Sequence, residues 1–206
     1  MTGVQTCALP ILSMAEEREL VGRPLIYKAE AYSKSLISFI SSLEPINVTL
    51  KCIEEHVVPV ISFLLEDHSP PFCIPSVGSG EGYNDLPFIE MLSKADQGKA
   101  DKPLFFVRVI EPDKMKLDNF CAKAKDLPES LKMRADIEFD WCPMTCQEYV
   151  EQKKKDEVKF DVIHFLHSIY YVESAESVES ALKHCYEEEL GAKGVIFSFT
   201  QNVNSP

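Results

Sequence analysis

Apolar residues recur at helical spacing near the start of the chain and in short continuous runs further on. One apolar helix face is marked by residues at three- and four-residue steps: Tyr32, Leu36, Phe39, Ile40 and Leu43. Pro45 is expected to end this helix, because proline removes a helical hydrogen bond. A second helix is predicted from about Val48 to Leu65, with a kink at Pro59.

From residue 72 onward, short apolar runs alternate with helical patterns. The predicted strands are residues 73–77, 104–110, 136–141, 160–166 and 194–199. The predicted helices between them are residues 85–95, 113–125, 146–154 and 175–190. This alternation predicts right-handed crossovers and a Rossmann-like α/β parallel sheet of order 3-2-1-4-5, with a ligand crevice at the carboxyl ends of the first and fourth strands. Pro75 lacks the N–H that a central strand uses, so we expect a late strand start or a bulge there.

We divide the chain into three parts. The opening letters MTGVQTCALPI read like a translated sequencing-library adapter, so residues 1–13 are expected to be a non-native leader, with the natural start at Met14. Residues 14–70 form the predicted N-terminal helical segment, and residues 71–206 the Rossmann-like domain. The apolar run at 194–199 resembles a buried central strand, so we expect the sheet to be truncated after it, with its last strands missing.

Composition narrows the class of protein. No apolar run reaches the length of about 18 residues that a membrane span needs. The net charge of -12 argues against a nucleic-acid partner and suits a cationic small substrate, although a solvated acidic surface is the better explanation for most of it. The seven cysteines form no CxxC pair and no zinc-type spacing, and no signal peptide precedes them. We therefore expect a reduced, cytoplasmic, monomeric protein without a metal.

Three glycines at alternate positions, Gly78, Gly80 and Gly82, lie between the first predicted strand and the next helix. Glycines there allow a sharp turn and close approach of a ligand, and the helix N-terminus presents free N–H groups to it. A dinucleotide fingerprint would need a small residue where this chain has Tyr83, and the Gly-Lys-Ser/Thr ending of a phosphate-binding Walker loop is absent. A nicotinamide-dependent oxidoreductase stays open as an alternative.

Glu111 closes the second predicted strand, about thirty positions after the glycines. One carboxylate at this place can accept hydrogen bonds from both hydroxyls of a ribose. The alternative is a surface acid before the turn at Pro112. Its position in the same βαβ unit as the glycines favours the ribose interpretation.

The fourth predicted strand is followed by His167, Tyr170 and Tyr171. His167 can hydrogen-bond an acceptor substrate or take its proton, and the tyrosines can form an aromatic wall for an amine. In the alternative, one tyrosine packs the helix against the sheet. His164, within the strand, is expected to be a buried core residue.

Trp141 and Cys146 flank the end of the third predicted strand. Trp141 fits either an adenine contact or the core. No general base is placed beside Cys146, so a nucleophilic role has no support. No Asp/Asn-Pro-Pro-aromatic motif follows the fourth strand, which disfavours methylation of nucleobase amines.

With these motifs in hand, the chain resembles the histamine N-methyltransferase family, which belongs to the class I S-adenosylmethionine-dependent methyltransferases. The resemblance rests on SVGSGEG at residues 76–82 with DL at 85–86, VIEP at 109–112, FDW at 139–141 followed by EY at 148–149, and FDVIH at 160–164 running to YYV at 170–172.

The resemblance implies two sets of site residues. The positions implied for S-adenosyl-L-methionine are Gly78, Glu111, Lys116, Cys146 and Leu166. The positions implied for the substrate are Tyr32, Glu44, His167, Tyr170 and Tyr171. Lys116, Cys146 and Leu166 stand where the family has glutamine, serine and isoleucine, and His167 replaces a glutamine.

The implied activity is methyl transfer to a ring nitrogen of a small, histamine-like imidazole amine, without a metal, a covalent intermediate or a catalytic side chain. The alternative is a catalytically inactive or truncated cofactor-binding module of the same family.

Overall fold

The computed structural model describes residues 45–66, 69–95, 102–152, 158–172 and 174–200. All of these belong to the second of two compact units, Glu44–Pro206. Tyr32, Glu44 and the leader predicted at residues 1–13 lie outside the described residues.

The described elements alternate as the sequence predicts. The strands are β1 (Phe72–Val77), β2 (Leu104–Ile110), β3 (Asp136–Cys142), β4 (Phe160–Leu166) and β5 (Leu190–Phe199). The helices are α1 (Pro45–Cys52), α2 (Val58–Glu66), α3 (Asp85–Ala95), α4 (Lys114–Lys125), α5 (Glu129–Lys132), α6 (Cys146–Gln152) and α7 (Ala175–His184). Shorter turns are the π-helical Ile53–Val57 and Cys185–Glu189 and the 3-10 turn Ile169–Tyr171.

The five strands form one parallel sheet of order β3-β2-β1-β4-β5, which confirms the predicted α/β architecture and strand order. Strands β1 and β4 are neighbours although they are distant in sequence. Their carboxyl ends therefore meet at one edge of the sheet, which is where ligands bind in open parallel sheets.

One predicted boundary is wrong at the end of the chain, because strand β5 begins at Leu190 rather than at residue 194. Helix α7 ends at His184, but the π-helical turn Cys185–Glu189 continues it to one residue short of the predicted end at residue 190. The first residues of β5 include Gly191, Gly194 and the exposed Lys193, so no apolar run marks them as a strand. The pairing with β4 is also irregular at this point, with a register shift between Phe160 and Val162.

Pro75 lies within a regular stretch of β1, opposite Arg108 of β2, so the expected late start or bulge is wrong. The Gly78 N–H donates to Ile110 O at 2.8 Å, and alternate residues of a strand point their N–H groups to opposite sides. The missing N–H of Pro75 therefore faces β4. Two residues earlier, the Cys73 N–H donates instead to the Asp161 side chain of β4, at 2.8 Å. Strand β1 thus tolerates the proline, because on the side facing β4 a side-chain hydrogen bond replaces part of the backbone hydrogen-bond ladder.

The helix predicted from about Val48 to Leu65 is present and extends from Pro45 to Glu66, but a π-helical turn, Ile53–Val57, interrupts it. The turn comes just before Pro59, whose ring nitrogen cannot donate the regular helical hydrogen bond. The irregularity expected at Pro59 is therefore a widened turn.

Two hydrophobic clusters cover the two faces of the sheet. The larger one includes Ile53, Phe88 and Phe120 from the helices together with Ile74 and Val109 from the strands. The smaller one lies under α6 and α7. Both faces are buried, as a parallel sheet requires.

The described part of the chain contains no helix that is long and apolar enough to cross a bilayer. Within the same residues, no group of three or more His, Cys, Asp or Glu side chains is arranged to hold a metal. The six described cysteines are all free thiols.

Phe88→Ala is expected to destabilise the protein by about 3–5 kcal/mol, because it leaves a cavity in the core. The Phe88 side chain is 0% exposed and contacts the rings of His164 and Phe197. Phe63→Ala is the matched control, since Phe63 is 71% exposed, and it should change the free energy of unfolding by less than about 0.5 kcal/mol. Urea denaturation measures both, and equal effects would contradict the described core.

Candidate functional site

Each glycine of the loop that follows β1 has a positive φ: 69° at Gly78, 58° at Gly80 and 73° at Gly82. A Cβ on Gly78 would lie 2.5 Å from the Ser168 Cβ, and one on Gly82 would lie 2.5 Å from the Phe120 ring. A Cβ on Gly80 would meet nothing within 4 Å. The outer two glycines therefore permit close packing within the protein, whereas Gly80 faces open space that a ligand can enter.

Glu111 lies directly against this loop. One carboxylate oxygen accepts the Gly80 N–H at 2.8 Å, and the other accepts the Asp113 N–H at 2.9 Å. The side chain is 5% exposed, and burial raises its pKa, although these two hydrogen bonds and the charge of Lys116 oppose the shift. The structure thus brings together the glycine loop and the acidic residue that the sequence pairs.

Helix α4 holds the outer side of the loop. The Lys123 ammonium donates to Glu81 O at 3.0 Å and to the Glu81 carboxylate at 3.2 Å. It also lies 3.5 Å from the centre of the Tyr83 ring, in a cation–π contact. Tyr83, the bulky residue that departs from a dinucleotide fingerprint, is 44% exposed. Its side chain therefore lies at the surface and not in the core.

A buried polar cluster that sequence reasoning did not find lies beneath the loop. Ser76 of β1 donates a hydrogen bond to Asp85, the first residue of α3, and His164 Nε2 of β4 lies 3.7 Å from the same carboxylate. All three side chains are nearly inaccessible to solvent. Burial raises the pKa of Asp85 to about 7 and lowers the pKa of His164 to about 3. His164 is therefore neutral and buried, as expected. The sequence signal for Asp85 was its place at the start of α3.

Two buried oxygens of the loop region, Ser79 Oγ and Asn84 Oδ1, have no hydrogen-bond partner among the described residues. Asn84 immediately precedes α3, where its oxygen would normally accept an N–H from the first helical turn. The Leu86 N–H donates instead to Gly82 O, and Pro87 has no N–H to give. The first helical turn therefore offers the Asn84 oxygen no N–H from residues 86 or 87.

His167 follows β4 with a left-handed φ of 56°, and its N–H donates to Phe199 O at 2.8 Å. The turn brings Ser168 back to β1, where its hydroxyl donates to Val77 O and its Cβ fills the space that Gly78 leaves. The His167 side chain is half-buried and its Nε2 lies 3.0 Å from Thr49 Oγ1 of α1. Burial lowers its pKa, so the ring is neutral near pH 7.

Tyr170 and Tyr171 form a tilted pair with ring centres 4.6 Å apart. They are 51% and 42% exposed, so neither is a core residue that packs a helix onto the sheet. Burial of the hydroxyl nevertheless raises the pKa of Tyr170, which remains a neutral phenol. The pair offers an accessible aromatic surface beside His167.

The remaining predicted cofactor residues occupy different surroundings. Lys116 is in the first turn of α4, close enough to Glu111 to influence its pKa. Leu166 is 7% exposed at the end of β4, within the larger core cluster. Cys146 begins α6 and packs against the smaller cluster, where burial raises the pKa of its thiol to about 11. Cys146 is therefore a protonated thiol, and its assignment stays a prediction.

Trp141 is partly buried against the larger core cluster. Its ring stacks on Phe139 at 5.0 Å and contacts the edge of Phe120 at 5.4 Å. Of the two alternatives left by the sequence, these contacts favour the core.

Two curated proteins are similar to the chain in sequence. Carnosine N-methyltransferase 2 of Gallus gallus is 28% identical over 166 residues, covering 78% of this chain and 48% of the relative. Histamine N-methyltransferase of Danio rerio is also 28% identical over 166 residues, covering 78% of this chain and 53% of the relative. The chain therefore spans about half the length of each relative. These similarities confirm the resemblance that the motifs indicate.

Among solved structures, the plantazolicin methyltransferase BpumL, crystallised with a pentazolic desmethylPZN analog and SAH, is similar to the chain with a TM-score of 0.52. The similarity covers 85% of this chain and 55% of that one, at 15% sequence identity. No family model matches the sequence. The five-stranded parallel sheet with its flanking helices is the Rossmann-like class I methyltransferase fold.

Gly82→Ala should destabilise the protein more than Gly80→Ala. Both substitutions place a Cβ on a left-handed residue, at a cost of about 1–2 kcal/mol. Only at Gly82 does the Cβ also collide with the fully buried Phe120 ring, which adds about 1–3 kcal/mol of overpacking. Urea denaturation of the two variants measures the difference, and equal losses would contradict the described packing of α4 on the loop.

Asp85→Asn should flatten the pH dependence of stability. The folded state raises the pKa of Asp85 from its usual 3.8 to about 7, so in that window the folded protein keeps a proton that the unfolded chain has lost. The free energy of unfolding contributed by Asp85 therefore falls as pH rises through this window and is constant above it. Denaturation from pH 4 to 8 measures the slope, with Asp126→Asn as an exposed control. An unchanged slope in Asp85→Asn would exclude a neutral Asp85.

Proposed function

We propose that the chain belongs to an S-adenosylmethionine-dependent N-methyltransferase that acts on a small imidazole amine. The observation that carries this proposal is the contact between Glu111 and the Gly80 N–H, at 2.8 Å, in the first βαβ unit of a class I methyltransferase fold. The similarity to histamine and carnosine N-methyltransferases supports the reaction class.

The residues of the glycine loop fit this cofactor. Each Glu111 oxygen accepts one backbone N–H, and each keeps a further lone pair that can accept a ribose hydroxyl. Gly80 leaves open space beside the loop. Gly78, Lys116, Cys146 and Leu166 complete the proposed cofactor set.

S-adenosylmethionine, when bound, supplies a methyl group made electrophilic by the sulfonium. The protein then has mainly to align a neutral nitrogen with that methyl, and such positioning can lower the barrier by about 7–11 kcal/mol. In this proposal His167 hydrogen-bonds the acceptor, and the exposed rings of Tyr170 and Tyr171 pack against its flat heteroaromatic ring; the half-buried His167 ring and the paired tyrosine rings support these roles. Tyr32 and Glu44, outside the described residues, are proposed to complete the acceptor site.

The acceptor class follows from what the relatives' substrates share. Histamine and carnosine, which name the two relatives, both carry an imidazole ring and an amine. The half-buried neutral imidazole of His167 can exchange a hydrogen bond with a second imidazole. We therefore propose an imidazole amine as acceptor, and assays with histamine and carnosine distinguish the two.

Glu111→Gln is expected to weaken binding of S-adenosylhomocysteine by about 10–100-fold, because a hydrogen bond to a charged group is worth about 1.5–3 kcal/mol. The glutamine NH₂ would also face one of two backbone N–H donors, at Gly80 or Asp113. Isothermal titration calorimetry measures the affinity. Glu138→Gln, an exposed carboxyl on β3, is the matched control and should bind as the wild type does.

Three outcomes separate the possibilities. A folded wild-type chain that does not bind S-adenosylhomocysteine would refute the cofactor site. Equal affinities for wild type and Glu111→Gln would refute the role of Glu111 alone. Cofactor binding without methylation of histamine or carnosine would favour an inactive binding module over an enzyme.

A further inference from the structure

The His167 ring makes one hydrogen bond within the described residues, and it reaches across the fold to make it. Its Nε2 lies 3.0 Å from Thr49 Oγ1, although the two residues are 118 positions apart. Thr49 lies in α1 and is 7% exposed, so the threonine side of this part-buried contact is closed to water. A threonine side chain in a helix has few rotamers, which makes its hydroxyl a fixed partner for the ring.

The backbone of His167 is fixed independently of this contact. Its φ of 56° is uncommon for a residue with a Cβ, and its N–H donates to Phe199 O of β5. The next residue, Ser168, is tied to β1 through Val77 O. The ring is therefore oriented by two constraints, a strained turn at its Cα and Thr49 at its Nε2.

The contact with Thr49 couples the threonine hydroxyl to the tautomer of the ring. Burial lowers the pKa of His167, so near neutral pH one ring nitrogen carries a hydrogen and the other a lone pair. The Thr49 hydroxyl can accept the hydrogen of Nε2 or donate to its lone pair, so the 3.0 Å contact fits both tautomers. An imidazole substrate that attacks with one nitrogen carries its hydrogen on the other, so it needs an acceptor in the protein. That requirement favours a hydrogen on Nε2, accepted by Thr49, and a lone pair on Nδ1.

We propose that Thr49 is a positioning residue that keeps His167 in the Nε2–H tautomer, so that Nδ1 accepts the distal N–H of an imidazole substrate. This inference rests on the proposed function. A neutral imidazole has one N–H and one lone pair. When its N–H donates to Nδ1, its lone pair is at the other nitrogen of the ring, which is the one that attacks the methyl group.

Methyl transfer uses the lone pair of this attacking substrate nitrogen. The N–CH₃ bond forms from the substrate's lone pair, and the S–CH₃ bond breaks with its electron pair remaining on sulfur. The substrate ring is then a cation, which becomes neutral when its distal proton passes to His167 Nδ1 and from there to water. Substrates that lack the distal N–H, such as rings already alkylated at that nitrogen, cannot make this hydrogen bond and are disfavoured.

Three variants of the full chain test the proposal. Thr49→Val removes the hydroxyl at nearly constant shape, Thr49→Ser retains it, and Val48→Ala changes the neighbouring residue, which is 64% exposed. Long-range ¹⁵N–¹H NMR of the His167 ring reports the tautomer without any substrate. Steady-state assays with histamine and S-adenosylmethionine give kcat/KM, and calorimetry gives the affinity for S-adenosylhomocysteine.

The wild type, Thr49→Ser and Val48→Ala should show the Nε2–H tautomer, whereas Thr49→Val should show a mixture. We expect kcat/KM to fall about 3–10-fold in Thr49→Val, as for the loss of one neutral hydrogen bond, with unchanged cofactor affinity and with recovery in Thr49→Ser. An Nδ1–H tautomer in the wild type, or unchanged tautomer and kcat/KM in Thr49→Val, would overturn the inference. A folded wild type that binds no S-adenosylhomocysteine would instead refute the proposed function.

Discussion

One buried carboxylate determines the shape of the carboxyl edge of the sheet. Glu111 accepts a backbone N–H from the loop after β1 and another from the turn after β2, at 2.8 and 2.9 Å. A buried carboxylate is costly unless it is hydrogen-bonded, so both loops are held where they satisfy it. An apolar residue at this position would leave the Gly80 and Asp113 N–H groups without this acceptor. The open face of Gly80 and the start of α4 therefore depend on the same side chain.

A cluster of buried polar side chains lies beneath the glycine loop. Asp85 connects the start of α3 to Ser76 of β1 and approaches His164 of β4, while the Ser168 hydroxyl bonds Val77 O. These contacts join the two central strands at the point where their carboxyl ends meet. These side chains hold the loop from beneath, and Lys123 holds it from the outer side. Ligand binding therefore has to order the loop only slightly further, at a small cost in conformational entropy.

The sequence predicts the sheet well because its strands are apolar runs bounded by polar turns, and the order 3-2-1-4-5 follows from the crossover rule. The start of β5 is not predictable in this way, since its first residues are small or charged and their pairing is irregular. The contact between Glu111 and the loop is predictable because both lie in one βαβ unit. Apart from the place of Asp85 at the start of a helix, neither the Ser76–Asp85–His164 cluster nor Thr49 gives a local signal, because each contact joins residues whose proximity arises only when the chain folds.

The cofactor half and the acceptor half of the proposed site thus rely on different kinds of groups. Its cofactor half uses backbone N–H groups and one carboxylate. Its acceptor half depends on His167, which stands where the resembling family has a glutamine. A glutamine amide donates and accepts at the same time, whereas a neutral imidazole must assign one role to each nitrogen. A histidine at this position therefore needs a partner that determines which ring nitrogen carries the hydrogen. In this chain the only described side chain that hydrogen-bonds the His167 ring is Thr49. The identity of residue 49 then becomes part of acceptor recognition, although it lies on a helix far from residue 167 in sequence.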